Sequence, residues 1–572
     1  MADDKIYEQF SFMGLDEVAN PYLLQVGVLN KFDNVDTTFI GGIRKAKGKT
    51  RLVQTSLGTK KISGLHIFYH KNSGITYPVV SYNGNIYYFK NNIWNTIKTG
   101  LTDTDFYFMS SFNDWLYVFN GIDNPFKWNP VDNKIYQLGI NPPTTAPTFN
   151  TNVTGNLTAN RDYSVKYTYY SSSLGLESSA SPASDKKTAS STKGIRWAVT
   201  GSSDPQVDKI KFYRTLGNQS APWYYEGQVN NATGTVYIDT VLADINMTTT
   251  TAPTTNDPPP NGKVLCFHMG RFFIAGNSSY PYRIYYSKAA PYHEYFPLDH
   301  FLHTPSGENV TGMVSTSASL YIFTPNTISL LDTPMTGDPV ASWAIYQVEG
   351  SVGCIAPRTL VSTNNLMLFL SRYGVYAFDG RISKKIEGID LSGVNWDYAH
   401  LSCATYHNGR YFISLPVNAT YPNTTYELIL EDWRWAKHSN KSASVMGVYG
   451  STIVAGDPQN GIVWKFFDSN SNDGSPFTIS FLTPPLRLTS YPVYKEFSRL
   501  HFLMSGEGKV NVKVIVDKQE TTAEMNIAGF DYYQFPQPIW RGRTIQIGLE
   551  HTSDKAFTLY GFALQFREAM VK

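Results

Sequence analysis

Along this chain, short runs of aromatic and aliphatic residues alternate with polar ones, and each run leaves a small turn built from Asn, Gly, Asp or Ser. Tyr82-Asn83-Gly84-Asn85-Ile86-Tyr87-Tyr88-Phe89 and Phe112-Asn113-Asp114-Trp115-Leu116-Tyr117-Val118-Phe119 set the pattern. It returns at His268–Ile274, Ser317–Phe323, Asn364–Phe369, His407–Ile413 and Tyr449–Val454. The turn positions Gly270, Ala318, Asn365, Gly409 and Gly450 stand 48, 47, 44 and 41 residues apart. Period-two alternation predicts strands with one wet face. A strand-only repeat of this size predicts a β-propeller with one four-stranded sheet per blade. Two such units precede Asn141 and five follow Val264. Because closing strands are often borrowed from a terminus, the expected count is about six to eight blades.

The texture changes twice. Asn141-Pro142-Pro143-Thr144-Thr145-Ala146-Pro147 reads as a linker, and Thr251 to Pro260 as a second, stiffer one. Between them lie clean strands at Tyr163–Tyr169, Val207–Arg214, Trp223–Val229 and Thr235–Asp239. Short strands divided by Gly, Ser and Asn turns predict a β-sandwich of immunoglobulin or fibronectin type III kind, inserted between blades. After the turn-rich Asp468–Gly474, alternation resumes at Lys509–Val516, Thr544–Glu550 and Phe557–Leu564, which predicts a second small sandwich. The expected organisation is therefore all-β. An N-terminal arm and propeller-closing segment spans 1–60, and first blades 61–140. The inserted β-sandwich spans 141–260, the remaining blades 261–468 and a C-terminal β-sandwich 469–572. No segment sustains a capped helical period.

Hydrophobic residues are 42% and aromatics 15% of the 572 residues, enough for a large packed core. The formal net charge is only +2. That weak field argues against a protein that coats a polyanion, although not against a channel through which DNA slides. Cys266, Cys354 and Cys403 are too scattered for a disulfide framework or metal spacing and read as buried thiols. The polar start Met-Ala-Asp-Asp-Lys-Ile and the lack of a long apolar run predict a soluble protein made in the cytoplasm. Triplets such as Asn152-Val153-Thr154 then reflect abundant Asn and Thr rather than glycosylation.

Catalytic chemistry finds little support. Acids suited to glycoside cleavage are present (Glu177, Asp239, Glu294, Asp379, Glu431, Asp432), but sequence pairs none of them. Ser471-Asn472-Asp473-Gly474-Ser475 has the texture of an aspartate-box turn with the wrong spacing, and reads as an ordinary Asn/Asp turn. His293, His300 and His303 are metal-ligand types. A strand or loop does not bring i and i+3 imidazoles together, and Pro297 argues against a helix, so no metal is assigned. Asp432-Trp433 and Asp114-Trp115 reverse the tryptophan-aspartate order. The remaining feature is basic: Arg44, Lys45, Lys47, Lys49 and Arg51 place five cations in eight residues. Their glycine-rich setting predicts an extended or looped arm. That arm is a solvated loop or a contact with nucleic-acid phosphates or a neighbouring subunit.

The order of parts resembles the tail nozzle and tail hub proteins of short-tailed bacteriophages over most of the chain. The resemblance rests on Gly27–Val35 followed by Gly42-Ile43-Arg44-Lys45, where Lys-Ala replaces the family's Pro-Gly. It rests also on Tyr163–Tyr170, Gly175-Leu176-Glu177-Ser178, Lys209–Thr215, Tyr237–Thr240 and Pro258-Pro259-Pro260 within the insert. The re-entry phrases Gly270–Gly276 and Tyr282–Ser287 complete it. It implies a virion structural protein without catalytic residues or cofactor, assembled as a homo-oligomeric ring, usually a hexamer. The ring would sit below the head-to-tail adaptor, anchor fibre, spike or plug proteins, and pass viral double-stranded DNA through its lumen. The competing expectation is a carbohydrate-binding or glycan-cleaving propeller, since aromatic faces stack on sugars.

Overall fold

The computed structural model describes residues 4–39, 41–317, 319–333, 343–363, 365–538 and 541–569. Ala318 and Asn364, which fall in two of the turn phrases, lie outside them. The chain is all-β, with four short 3-10 segments as the helical turns among the described residues. It divides into two compact units. One comprises Met1–Tyr107, Phe323–Ile328 and Val348–Lys572, and the other Phe108–Ile322 and Ser329–Gln347.

Outside residues 141–260, seven four-stranded groups recur along the chain, six of them built from consecutive strands. Sheet one runs from Ile62 to Lys98, sheet two from Phe108 to Gln137, sheet three from Val264 to His303 and sheet four from Gly312 to Glu349. Sheet five runs from Val361 to Lys385 and sheet six from Cys403 to His438. Sheet seven takes three strands from Val445 to Phe466 and its fourth, Lys49–Arg51, from the N-terminal segment. The repeated turns are where the sequence places them. His407 pairs with Arg410 across Asn408 and Gly409, whose φ angles are 49° and 76°. Met269-Gly270 and Asn113-Asp114 do the same between His268 and Arg271 and between Phe112 and Trp115. Two successive positive φ values match the right-handed twist of flanking strands, which is why Asn and Gly occupy these turns. In sheet one the Asn83-Gly84 turn joins the second and third strands instead.

Strands were expected to keep one face wet. Two second strands do not: Arg271–Ala275 and Met367–Ser371 are buried at every position. The reason is packing on both sides. In the first unit, sheets seven and one share Ile62, Val80, Val445, Val454 and Val463, and sheets six and seven share Cys403, Phe412, Ile453, Trp464 and Phe466. Sheets five and six share Leu368, Val375, Tyr411 and Ile413. In the second unit, sheets two and three bury Tyr117, Phe119, Phe272 and Ile274, while sheets three and four bury Phe273, Ile284, Leu320 and Leu331. Each fully buried Phe, Leu or Ile contributes about 1.5–3 kcal/mol, so these layers supply most of the fold's stability.

Between sheets two and three, Thr148–Thr154, Lys193–Gly201 and Gly234–Thr240 form one sheet. Leu176–Glu177, Val165–Ser171, Lys209–Arg214 and Tyr224–Asn230 form another. The two enclose Tyr163, Tyr167, Trp197, Ile210, Phe212 and Ile238. Sheet three reaches this module through a loop: the Glu177 N–H donates to the Tyr295 hydroxyl, and Phe296 N–H donates to Asp257 O at 2.8 Å.

The C-terminal strands are not hydrogen-bonded only to one another. Lys31–Asp33 pairs with Phe477–Leu482 on one side and meets Lys437 of sheet six on the other, so one hydrogen-bonded surface runs from sheet six to the C-terminus. Lys495–Val516 pairs with Thr558–Glu568 through its first half and with Ile545–Ser553 through its second. Gln519–Gln534 lines its other edge, and Lys5–Gln9 lies beyond Thr558–Glu568. Phe502, Val512, Leu549 and Leu564 fill the core between them.

Candidate functional site: a donor-rich pocket beside the N-terminal strands

The basic segment forms short strands. Ile43–Arg44 pairs with Thr558 and Leu559, and Lys49–Arg51 pairs with Val463–Phe466. This pairing sends the five cations to different places. Lys45 points inward and is 6% exposed. Its ammonium donates to the carbonyls of Asn470 at 3.1 Å, Lys555 at 3.3 Å and Ser553, and lies 3.9 Å from the Phe477 ring centre. Burial pulls its pKa down to about 8. Lys49 lies 4.3 Å over Trp464, and burial lowers its pKa against the opposing pull of Asp457 and Asp473. Arg51 Nε donates to Asp473 Oδ2 at 2.7 Å. That aspartate belongs to the Ser471–Ser475 turn, whose Asp473 N–H also donates to Lys49 O at 2.8 Å. The turn thus docks the closing strand of sheet seven.

Arg44 and Lys47 remain at the surface, and together they line a cavity of about 390 Å³. Its other walls come from sheets six and seven: His407 and Arg410 flank the Asn408-Gly409 turn, and Glu427 sits on the next strand. Arg44 holds Asp36 Oδ2 through Nε at 2.9 Å and NH2 at 2.6 Å. Burial would raise the Asp36 carboxyl, but hydrogen bonds from Thr38 and Arg44 hold it below the usual range. Glu427 is buried. Its Oε1 accepts from Thr37 Oγ1 at 2.6 Å and pairs with Arg410 at 3.1 Å, and its Oε2 lies 2.9 Å from His438 Nε2. Near these groups Lys441 is wholly enclosed, with one hydrogen bond among the described residues, to Asn440 Oδ1 at 3.1 Å, and Phe467 4.4 Å away. Burial lowers its pKa to about 7, and burial together with Lys441 lowers that of His438.

His407, Arg410, Glu427 and Lys441 were not singled out from sequence as site residues. The available signal was the polar pair His407 and Arg410 flanking a tight turn, which reads first as turn chemistry. Five of the six acids weighed for catalysis are engaged elsewhere. Glu177 binds Lys211 at 2.7 Å, Asp239 binds Arg196 at 2.7 Å, and Glu294 binds Lys127 at 2.5 Å in a pair with both side chains buried. Asp379 accepts from the Arg381 and Ile382 N–H groups, Asp432 lies 3.4 Å from Arg434, and Glu431 is exposed. Of the three histidines, two lie in the sheet-three loop and His303 on its fourth strand, and they face different rings: His293 meets Phe272, His300 stacks on Tyr286 at 4.5 Å, and His303 meets Tyr282. Among the described residues no group of three His, Cys, Asp or Glu is placed to hold a metal ion, and no helix is long and apolar enough to cross a membrane.

Compared with protein-family models and with curated proteins, the chain matches none. Solved structures similar to it include Sqt1 of Saccharomyces cerevisiae, at 9% identity and a TM-score of 0.32, covering 73% of this chain and 99% of that one. Hsv2 of Kluyveromyces lactis has 9% identity and a TM-score of 0.25, covering 66% of this chain and 97% of the other. The dihydro-heme d1 dehydrogenase NirN in complex with DHE has 9% identity and a TM-score of 0.24, covering 54% and 60%. At these scores the likenesses carry no argument about activity.

Proposed function

We propose that the seven sheets are blades of a β-propeller carrying an inserted immunoglobulin- or fibronectin type III-like sandwich and a C-terminal sandwich. On this reading the protein is a structural ring, most simply a hexamer, of a short-tailed bacteriophage tail, extending the DNA conduit below the head-to-tail adaptor. It is not an enzyme. One observation supports assembly above the others. The outward face of the C-terminal sheet carries Ile6 (69% exposed), Phe10 (47%), Phe530 (62%) and Tyr532 (70%). Register puts them together: Ile6 pairs with Gln565, Phe530 with Ser505 and Tyr532 with Leu503, while Phe10 lies against Gly561. An aromatic sheet face of this kind is the ordinary mark of a subunit contact, and cyclic assembly needs such heterologous surfaces. Mass photometry and negative-stain imaging of the purified chain test the reading. Particles near six times the 64.2 kDa chain, seen as rings with a lumen wide enough for duplex DNA, are expected. A chain that stays monomeric at micromolar concentration would sink it.

The carbohydrate reading has one observation in its favour. An open groove of about 610 Å³ is lined by Trp94, Asn92, Gln54 and Arg51, an aromatic platform beside amide and cationic donors. A glycan array with wild type and Trp94→Ala decides it; absence of any wild-type signal ends it.

A further inference from the structure

We propose that the cavity lined by Arg44, Lys47, His407 and Arg410 binds a phosphate-class oxyanion. Donors outnumber acceptors in this cavity whether or not the chain assembles into a ring.

The two carboxylates at the site are already engaged at every oxygen. Asp36 Oδ2 accepts twice from Arg44, and Oδ1 accepts the Thr38 N–H at 2.8 Å and the Thr38 hydroxyl at 2.6 Å. Glu427 uses both oxygens, on Thr37, Arg410 and His438. The donors, by contrast, are in surplus. Arg410 meets Glu427 through NH1, and its Nε and NH2 have no partner among the described residues. Arg44 binds Asp36 and Thr38 through Nε and NH2, which leaves NH1. Lys47 is exposed and makes no ion pair or hydrogen bond among the described residues. Three cations from two chain segments thus surround one concave space, while its two anions are neutralised by groups of the chain itself.

A cavity of about 390 Å³ has room for a phosphate group and part of what carries it. Guanidinium forks match the oxygens of phosphate, and a lysine adds a mobile point charge. A cationic ligand would meet carboxylates whose charge the chain already neutralises, and a neutral ligand would leave the surplus positive charge unpaired. The shared chemistry is a phosphate oxyanion, whether free or part of a nucleic-acid backbone.

Calorimetric titration of the full chain tests this. Inorganic phosphate is one probe and a short DNA duplex the other, at constant ionic strength set with sodium chloride. Wild type is expected to show saturable binding of at least one probe. Lys47→Glu breaks no hydrogen bond or ion pair among the described residues and loses only an electrostatic pull on the exposed Asp468, so it should fold normally and bind about tenfold more weakly, as expected for loss of a charge-assisted contact. Arg410→Lys keeps a cation beside Glu427 but removes the fork, and should weaken binding in the same direction. If duplex displaces phosphate, the ligand is a backbone phosphate; if phosphate alone binds, it is a small phosphate compound. Binding of neither probe above the chloride control, or a Lys47→Glu variant that titrates like wild type, overturns the proposal.

Discussion

Replacing Lys441 with methionine should change how stability depends on pH. The ammonium is fully enclosed, keeps one hydrogen bond among the described residues, and lies 4.4 Å from the Phe467 ring centre. Burial lowers its pKa from 10.5 to about 7. Above about pH 7 the folded protein holds a neutral amine there, whereas the unfolded chain keeps its proton until about 10.5. Between those values the unfolded state binds more protons, so stability rises with pH. Below pH 7 both states are protonated and the full burial cost stands. One unit corresponds to 1.36 kcal/mol, so the wild type carries a deficit of about 4–5 kcal/mol at pH 6.5 and about 1–2 kcal/mol at pH 9.5. Lys441→Met removes the deficit and loses one hydrogen bond, worth about 1 kcal/mol. The variant should therefore melt higher than wild type at pH 6.5, and the gap should shrink by about 3 kcal/mol by pH 9.5. At roughly 2 °C per kcal/mol for a chain of this size, that is roughly 6 °C in relative melting temperature. Differential scanning fluorimetry at pH 6.5, 8 and 9.5 reads it directly. A gap independent of pH, or a variant less stable at pH 6.5, would refute a buried Lys441.

Three further outcomes are expected. Lys127→Met leaves the buried Glu294 without its cation and should cost about 3–5 kcal/mol, checked by urea denaturation; adding Glu294→Gln should recover part of the loss. Lys45→Ala strips three carbonyls of their donor and should cost about 2–4 kcal/mol, while Lys47→Ala should stay within about 0.5 kcal/mol of wild type in the same assay. Gly409→Ala should cost about 1 kcal/mol through backbone strain alone, because φ is 76° and nothing lies within 4 Å of the new methyl; a loss above about 3 kcal/mol would mean the turn is packed after all.

The turns were legible because their chemistry is local. Asn408-Gly409 or Asn113-Asp114 adopts two positive φ values whatever lies elsewhere, and the strands on either side follow from alternation. What alternation misjudged was the second strand of two sheets. Arg271–Ala275 is enclosed on both faces only because another sheet lies on each side, and a single strand's sequence carries no record of its neighbours. The basic segment shows the same limit at a site. Five cations in eight residues read as one feature, yet strand pairing buries Lys45, lays Lys49 on Trp464, ties Arg51 to Asp473 and leaves Arg44 and Lys47 facing Arg410 across more than 360 residues of sequence.

Sequence alone determined the strand content, the repeated hairpin turns and the places where the repeat breaks, since each depends on residues within a few positions of one another. Tertiary structure alone decided that Lys49–Arg51 completes sheet seven, that Lys31–Asp33 joins sheet six to the C-terminal strands, and which cations keep free donors. Those outcomes depend on pairing and burial between distant segments, and the energy of a charge is set by the neighbours that folding brings to it.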